Sequence, residues 1–280
     1  MKLKNMIYGK NKSLSLAIII FSKDRAMQLH ATLSSLEKHI PPDYLISIFV
    51  LYKSDKYQYQ YDQLVKEFKR VSFLSETVLV KQISNIASQY DYLAFVVDDT
   101  IFYQDFNLEE CIYHLSTQSN ALGFSLRLGQ NINWWHIGNY TIKCPKMLNI
   151  VDNYYRFKWP GEQKDFGYPL EVSSSIYRTS DIIPLLKRIY GDPGSIESHF
   201  NQQKDQFVKT KPYLLCYNKS VAFAAPINIV RTATRCPYGR NYHYSISDLA
   251  KVFDEGARID ISNISETINA CHQEVELKFI

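Results

Sequence analysis

Two adjacent carboxylates, Asp98 and Asp99, stand at the end of the near-continuous apolar run "YLAFVVDDTIF", Tyr92–Phe102. Val, Phe and Ala suit a strand covered on both faces. Paired aspartates at its carboxyl end repel each other unless a cation or hydrogen-bond donors compensate them. A divalent ion is the economical compensation. Hard Mg2+ or Mn2+ takes oxygen ligands and is commonly shared between one or two carboxylates and substrate phosphates. Asx-type capping of the following turn by both side chains is the alternative. A second polar cluster, "FSKDR", follows another apolar run at Phe21–Arg25.

Either role needs elements that bring strand ends together. Leu16–Phe21 reads as a buried strand, and Leu29, Leu33, Leu36 and Ile40 then recur at helical spacing until Pro41 and Pro42. Ile46–Leu51 is a second strand. The Tyr-rich stretch from Tyr57 to Tyr61 reads as a partly solvated loop, followed by a short helix with Leu64, Val65 and Phe68. Ser75 reads as an N-cap with Glu76 in the first turn, ahead of the apolar face Val80, Ile83, Ala87 and Tyr90. That helix delivers the chain to the strand carrying the aspartates. Strand–helix–strand repetition implies right-handed crossovers and a parallel sheet with helices on both faces. Ligands of such sheets sit beyond the carboxyl ends of the strands, so both clusters should face one crevice.

The rest of the chain is less regular. Asn107 reads as the N-cap of a helix with Leu108, Ile112 and Leu115, and "ALGFSLRLG" as a strand. "NINWWHIGN" and "YYRFKWPGEQKDFGYP" read as aromatic loops too long to be mere connections. A strand "EVSSSIYR" precedes a helix from Asp181 to about Tyr190, closed by Gly191, and a helix opening at Ser195. Strands "YLLCYN" and "VAFAAPIN", a helix around Leu249–Phe253 ended by Gly256, and an edge strand "EVELKFI" complete the chain.

Composition removes several classes. A chain of 280 residues, 46% hydrophobic and 14% aromatic, buries roughly three quarters of its unfolded surface and is not disordered. Its net charge of +4 is spread along the chain, which argues against a nucleic-acid partner. Cys111, Cys144, Cys216, Cys236 and Cys271 are odd in number, far apart and without a CxxC pair. Free thiols in a reducing compartment are expected, not a disulfide scaffold or zinc cage. The apolar "LSLAIIIF" runs into Lys23, Asp24 and Arg25 with no small-residue cleavage site, and no later run is long enough to span a bilayer. The expected location is the cytoplasm, with peripheral attachment at the inner face of the membrane left open.

"LAIIIFSKDR", the helix after it, "VVDDTIF" and "SLRLG" together resemble nucleotide-sugar-dependent glycosyltransferases of the GT-A fold, the family-2-like bacterial enzymes. "DFGYP", "PGSIESHF", "PINIV" and "CHQEVELKF" extend the likeness over nearly the whole chain. The resemblance implies an α/β fold with a Rossmann-like, mostly parallel central sheet flanked by helices. It implies one domain over residues 1–280, with a nucleotide-sugar-binding half (1–130) and an irregular acceptor-binding half (131–280). It also implies roles. Ser22, Lys23, Asp24 and Arg25 hold the base and ribose of the donor. Asp98 contacts the ribose, and Asp98 and Asp99 bind the Mn2+ or Mg2+ that bridges its diphosphate. The family motif is Asp-x-Asp, with the last carboxylate the main ligand. Read from Asp98, that place is Thr100, so either Asp99 takes over or the metal is weakly held. A late histidine often reaches the ion in this family, which singles out His272.

Other residues are candidates on their chemistry. Arg127 follows a strand, and its guanidinium matches phosphate bidentately, although a surface ion pair is as good a reading. Trp134, Trp135, Trp159 and Tyr168 suit stacking on an acceptor sugar, or the core. A sugar hydroxyl is a poor nucleophile, so a carboxylate must accept its proton. In inverting members of the family that base sits near a helix start beside the acceptor, which points to Glu197; Asp165 and Glu171 are its rivals. The expected activity is transfer of a sugar from a nucleotide-diphosphate donor to a glycan or glycoconjugate hydroxyl, inverting and metal-dependent. A sugar-phosphate nucleotidyltransferase is the enzymatic alternative, although "FSKDRAMQ" lacks its Gly-rich loop. A carbohydrate-binding protein without catalysis is the other.

Overall fold

The computed structural model describes residues 15–41, 46–187, 191–230, 237–262, 264 and 267–280. Strand β1 (Leu16–Lys23) is buried from Leu16 to Ser22. Leu16, Ile18 and Ile20 enter one hydrophobic core, and Ala17, Ile19 and Phe21 enter a second. Alternate side chains leave opposite faces of a strand, so a strand between two cores is apolar at every position. The chain continues through α1 (Ala26–His39), β2 (Ser47–Lys53), α2 (Gln58–Glu67), β3 (Val71–Ser75), α3 (Leu79–Ala87) and β4 (Tyr92–Val97). Leu29 and Leu33 of α1 and Leu64 of α2 fill the first core, whereas Ile83 and Ile86 of α3 fill the second. The sheet is therefore covered on both faces.

β1 pairs in parallel with β2 and with β4, and β2 pairs in parallel with β3. The spatial order β3-β2-β1-β4 reverses direction between β1 and β4. A reversal of this kind opens a crevice at the carboxyl ends of the two strands. These are the strands that carry "FSKDR" and the aspartate pair. Asp98 and Asp99 form the turn between β4 and β5 (Thr100–Phe102).

The remaining elements are α4 (Leu108–Thr117), β6 (Ala121–Ser125), β7 (Trp134–Trp135), β8 (Tyr140–Thr141), β9 (Leu148–Val151), β10 (Tyr154–Lys158), β11 (Ser174–Arg178), α5 (Thr179–Ile182), α6 (Pro193–Gln202), β12 (Tyr213–Tyr217), β13 (Ala222–Ala224) and α7 (Ile246–Asp254). β11, β6, β12, β10 and β9 extend the same sheet to nine strands. Only β11 and β10 run against the others, as their antiparallel pairings show. β5 pairs with β13 in a separate two-stranded sheet. Among the described residues, no helix is long and apolar enough to cross a membrane.

Several local expectations give way to tertiary context. Ser75 is not a cap: it pairs with Tyr52 at the end of β3, and α3 starts only at Leu79. The Tyr-rich stretch is the start of α2 and not a loop: Tyr59 is exposed, whereas the Tyr61 ring is fully buried and stacks on Tyr52 at 4.6 Å. "YYRFK" is strand β10, paired with β12. α6 is capped by Asp192, whose side chain accepts from Ser195 N–H, and not by Ser195. Pro193 sets the first helical position, where its missing N–H costs nothing. "EVELKFI" forms no strand among the described residues, only an isolated bridge between Ile259 and Phe279. The expected helix after Asp181 is α5 followed by a 3-10 turn, Ile183–Leu186, opened by Pro184. Pro42, residues 188–190 and Cys236 lie outside the described residues. Cys111, Cys144, Cys216 and Cys271 are free thiols.

Candidate functional site

Asp98 is fixed on every side. Its backbone N–H donates to the Phe21 carbonyl at 3.0 Å, and its own carbonyl accepts from Thr32 Oγ1 on α1 at 2.8 Å. Its carboxylate accepts from Ser22 Oγ at 2.8 Å, from the Lys23 backbone N–H at 3.2 Å and from Arg25 Nη2. The Ser22 hydroxyl has one proton, which is committed to Asp98. Tyr61 must therefore donate to Ser22 Oγ, 2.6 Å away, and its hydroxyl accepts from Arg25 N–H at 3.2 Å. Only 1% of Asp98 is exposed. Burial pushes its carboxyl up to about 6 even though Arg25 pulls it down.

Asp99 is placed differently. Its Oδ2 accepts from Arg25 Nη1 at 3.0 Å, and the residue lines an open cleft of about 470 Å3. The volume is in the range of small-ligand sites. Ser22, Lys23 and Arg25 of the first loop, Glu197 of α6 and His272 line the same cleft. Burial and the Arg127 charge hold His272 down to about 3, so its imidazole is neutral, the form a metal accepts. Thr100 faces inward and donates from Oγ1 to the Ser173 carbonyl at 2.9 Å, so it supplies nothing to the cleft.

A divalent ion can be tested against this donor set. Among the described residues, no group of three His, Cys, Asp or Glu side chains gathers as a metal cage. Asp99 and His272 are two suitable side chains on one cleft. They fit an ion that keeps waters and takes the rest of its shell from substrate phosphates, as Mg2+ commonly does. Asp98 is 1% exposed and absent from the cleft lining, and its carboxylate already accepts from Ser22, Lys23 and Arg25.

Other candidates lie away from the lining of the cleft. Arg127 is 2% exposed, with Nε 3.6 Å from Glu171, and does not reach the cleft wall. It stands inside, beside the buried carboxylate of Glu171. Glu171 accepts from Ser173 and Ser174 N–H and faces the same interior. Asp165 is buried nearby, and burial pushes its carboxyl up against the pull of Arg127. Asp24 adopts a left-handed backbone (φ 52°), and its carboxylate accepts from Asp55 N–H at 2.8 Å and Ser54 Oγ at 3.3 Å. It ties the β1 loop to the β2 loop and is absent from the lining of the main cleft. Trp159 is core, 2% exposed, whereas Trp135 and Tyr140 pack together at the surface beside Lys164.

Glu197 lines the cleft and accepts from Val172 N–H at 3.2 Å. With the cap at Asp192, it lies in the second turn of α6 rather than beside the cap. Lys53, Glu76, Asn228 and Tyr238 also line the cleft and escaped the reading of the sequence. Lys53 and Glu76 could have been found, because both close parallel strands as Lys23 does. Asn228 and Tyr238 sit in irregular chain with no periodic signal.

A covered, mostly parallel sheet with its cleft at the β1/β4 reversal and an acidic turn at the cleft is the GT-A fold. GalNAc-T7, solved with UDP, GalNAc and Mn2+, shares it at a TM-score of 0.52 and 12% identity, over 88% of this chain and 48% of that one. S. aureus TarS 1-349, solved with UDP, aligns at a TM-score of 0.49 and 13% identity, over 76% of this chain and 61% of that one. In sequence, the chain is 29% identical over 252 residues to the bifunctional glycosyltransferase pgtA of Dictyostelium discoideum. That match covers 79% of this chain, which spans about a third (33%) of the length of the curated relative. No protein-family profile matches the chain.

Proposed function

We propose that the chain is a glycosyltransferase that takes a nucleotide-diphosphate sugar and passes the sugar, with inversion, to a hydroxyl of a glycan or glycoconjugate. One observation carries the reading: Arg25, Asp99, His272 and Glu197 come from separate elements yet line a single cleft of about 470 Å3. The resemblance to pgtA along 79% of the chain supports it.

Residues 1–130 would hold the nucleotide and residues 131–280 the acceptor. Lys23 and Lys53 add positive charge to the cleft on the side of the first loop, where a diphosphate would lie. Mn2+ or Mg2+, held by Asp99 and His272, would supply further charge to the leaving diphosphate. Glu197 would accept the proton of the attacking hydroxyl, and Val172 N–H, bonded to its carboxylate, would orient it. Asp98 would act at one remove, by holding Arg25 and the first loop in place. The protein would work in the cytoplasm, touching the inner membrane face where its acceptor is lipid-linked.

The test is a panel of nucleotide sugars, uridine diphosphate sugars first, with products resolved by chromatography. Release of the free nucleoside diphosphate is expected. Formation of nucleoside triphosphate and sugar 1-phosphate when pyrophosphate is added to the donor would make the protein a nucleotidyltransferase, and no turnover of any donor would leave a binding protein.

A further inference from the structure

The aspartate pair already has a cation. The Arg25 guanidinium forks across two carboxylates, with Nη1 on Asp99 at 3.0 Å and Nη2 on Asp98. The Arg25 side chain is 11% exposed, and its buried Nε has no hydrogen-bond partner. A guanidinium carries five N–H donors in a planar fork, and leaving one buried and unpaired is unfavourable. The pose therefore serves the carboxylates better than it serves the arginine. One positive charge faces two negative ones, which leaves the turn with attraction for a further cation. Of the two aspartates, only Asp99 lines the cleft where such an ion would arrive, and Arg25 lines it too.

We propose that Arg25 is the resident counter-ion of this turn and competes with a divalent cation for Asp99. In the free protein it holds the pair together without metal, so the turn is kept in shape but binds the ion weakly. A cation that takes both Asp99 oxygens must displace Nη1, and the freed guanidinium then lies at the cleft, where a phosphate offers it a matching pair of oxygens. Arg25 would thereby link loss of its own ion pair to gain of the metal. The competition rests on the metal reading of Asp99 and not on transfer of any sugar.

Mn2+ is the probe, titrated without nucleotide and followed by the electron paramagnetic resonance of the free ion. Arg25→Met removes the charge and keeps the length, and should bind Mn2+ at least tenfold more tightly than the wild type. Asp99→Asn in the Arg25→Met background should abolish the gain. Equal affinity, no Mn2+ binding to either protein, or a gain that survives Asp99→Asn would each overturn the proposal. If circular dichroism shows that Arg25→Met does not fold, Arg25→Lys takes its place. A single ammonium cannot fork across both carboxylates, so Arg25→Lys should bind Mn2+ severalfold more tightly, and an unchanged affinity overturns the proposal. Because no nucleotide is present, the result is separate from the donor panel, which tests the glycosyltransferase reading.

Discussion

Three carboxylates compete for the role of base, and their surroundings separate them. Glu197 lines the cleft, whereas Glu171 and Asp165 sit behind its wall near the buried Arg127. A proton acceptor must come within hydrogen-bond reach of the group it deprotonates. Glu197→Gln keeps the shape of the side chain and removes its basicity. Transfer should fall by a factor on the order of a hundred, with donor affinity close to wild type. Asp165→Asn should instead act on stability, because it withdraws a partner from a buried guanidinium. Transfer rates and melting temperatures of both variants check this. Full transfer by Glu197→Gln, with loss in Asp165→Asn, would reverse the assignment.

At the scale of elements, the cleft is built from strand ends, one helix start and irregular chain at Asn228, Tyr238 and His272. The N-terminal turn of α6 contributes Asp192, Pro193 and Gly194 to the wall, and Glu197 follows one turn later. Asp192 is the cap of that helix, with its carboxylate 2.8 Å from Ser195 N. Asp192→Ala should cost about 1 kcal/mol in urea unfolding, whereas Ser195→Ala, which leaves the cap in place, should stay within about half of that. A larger loss from Ser195→Ala would make Ser195 the cap. Asp-Pro ahead of a helix is a readable N-terminal signal, and Ser195, three residues on, has equal capping strength. Ser75 is the opposite case: a good capping residue is used by the β3 ladder, which propensity alone does not show.

For the whole molecule, the burial of Asp98 sets a pH dependence. Burial holds its carboxyl up at about 6, above the ordinary 3.8, although Arg25 pulls it down. The native state then binds this proton more tightly than the unfolded chain does. Its contribution to stability is full below about pH 4 and is lost as pH rises to about 6. Asp98→Asn cannot titrate. The stability of the wild type relative to Asp98→Asn should therefore fall between about pH 4 and pH 6 and level off above, as measured by urea unfolding across that range. A difference that does not change with pH would place the Asp98 carboxyl at its ordinary value.

The same aspartates mark the limit of what could be read from the chain. The alternation of apolar runs, the parallel strands and the position of "FSKDR" and the aspartates at strand ends were all determined by sequence. Covered strands must be continuously apolar, and polar residues that interrupt them fall at their ends. The partner of the aspartates was not determined in this way. Arg25 meets Asp98 and Asp99 across 73 and 74 residues of sequence, and the crossing exists only because β1 and β4 are neighbours. Asp165 and Glu171 were rivals of Glu197 on chemistry alone, and burial behind the cleft wall sets them apart from it. Residue type states what a side chain can bind; the tertiary structure alone decided which side chains face solvent and which spend their charge on one another.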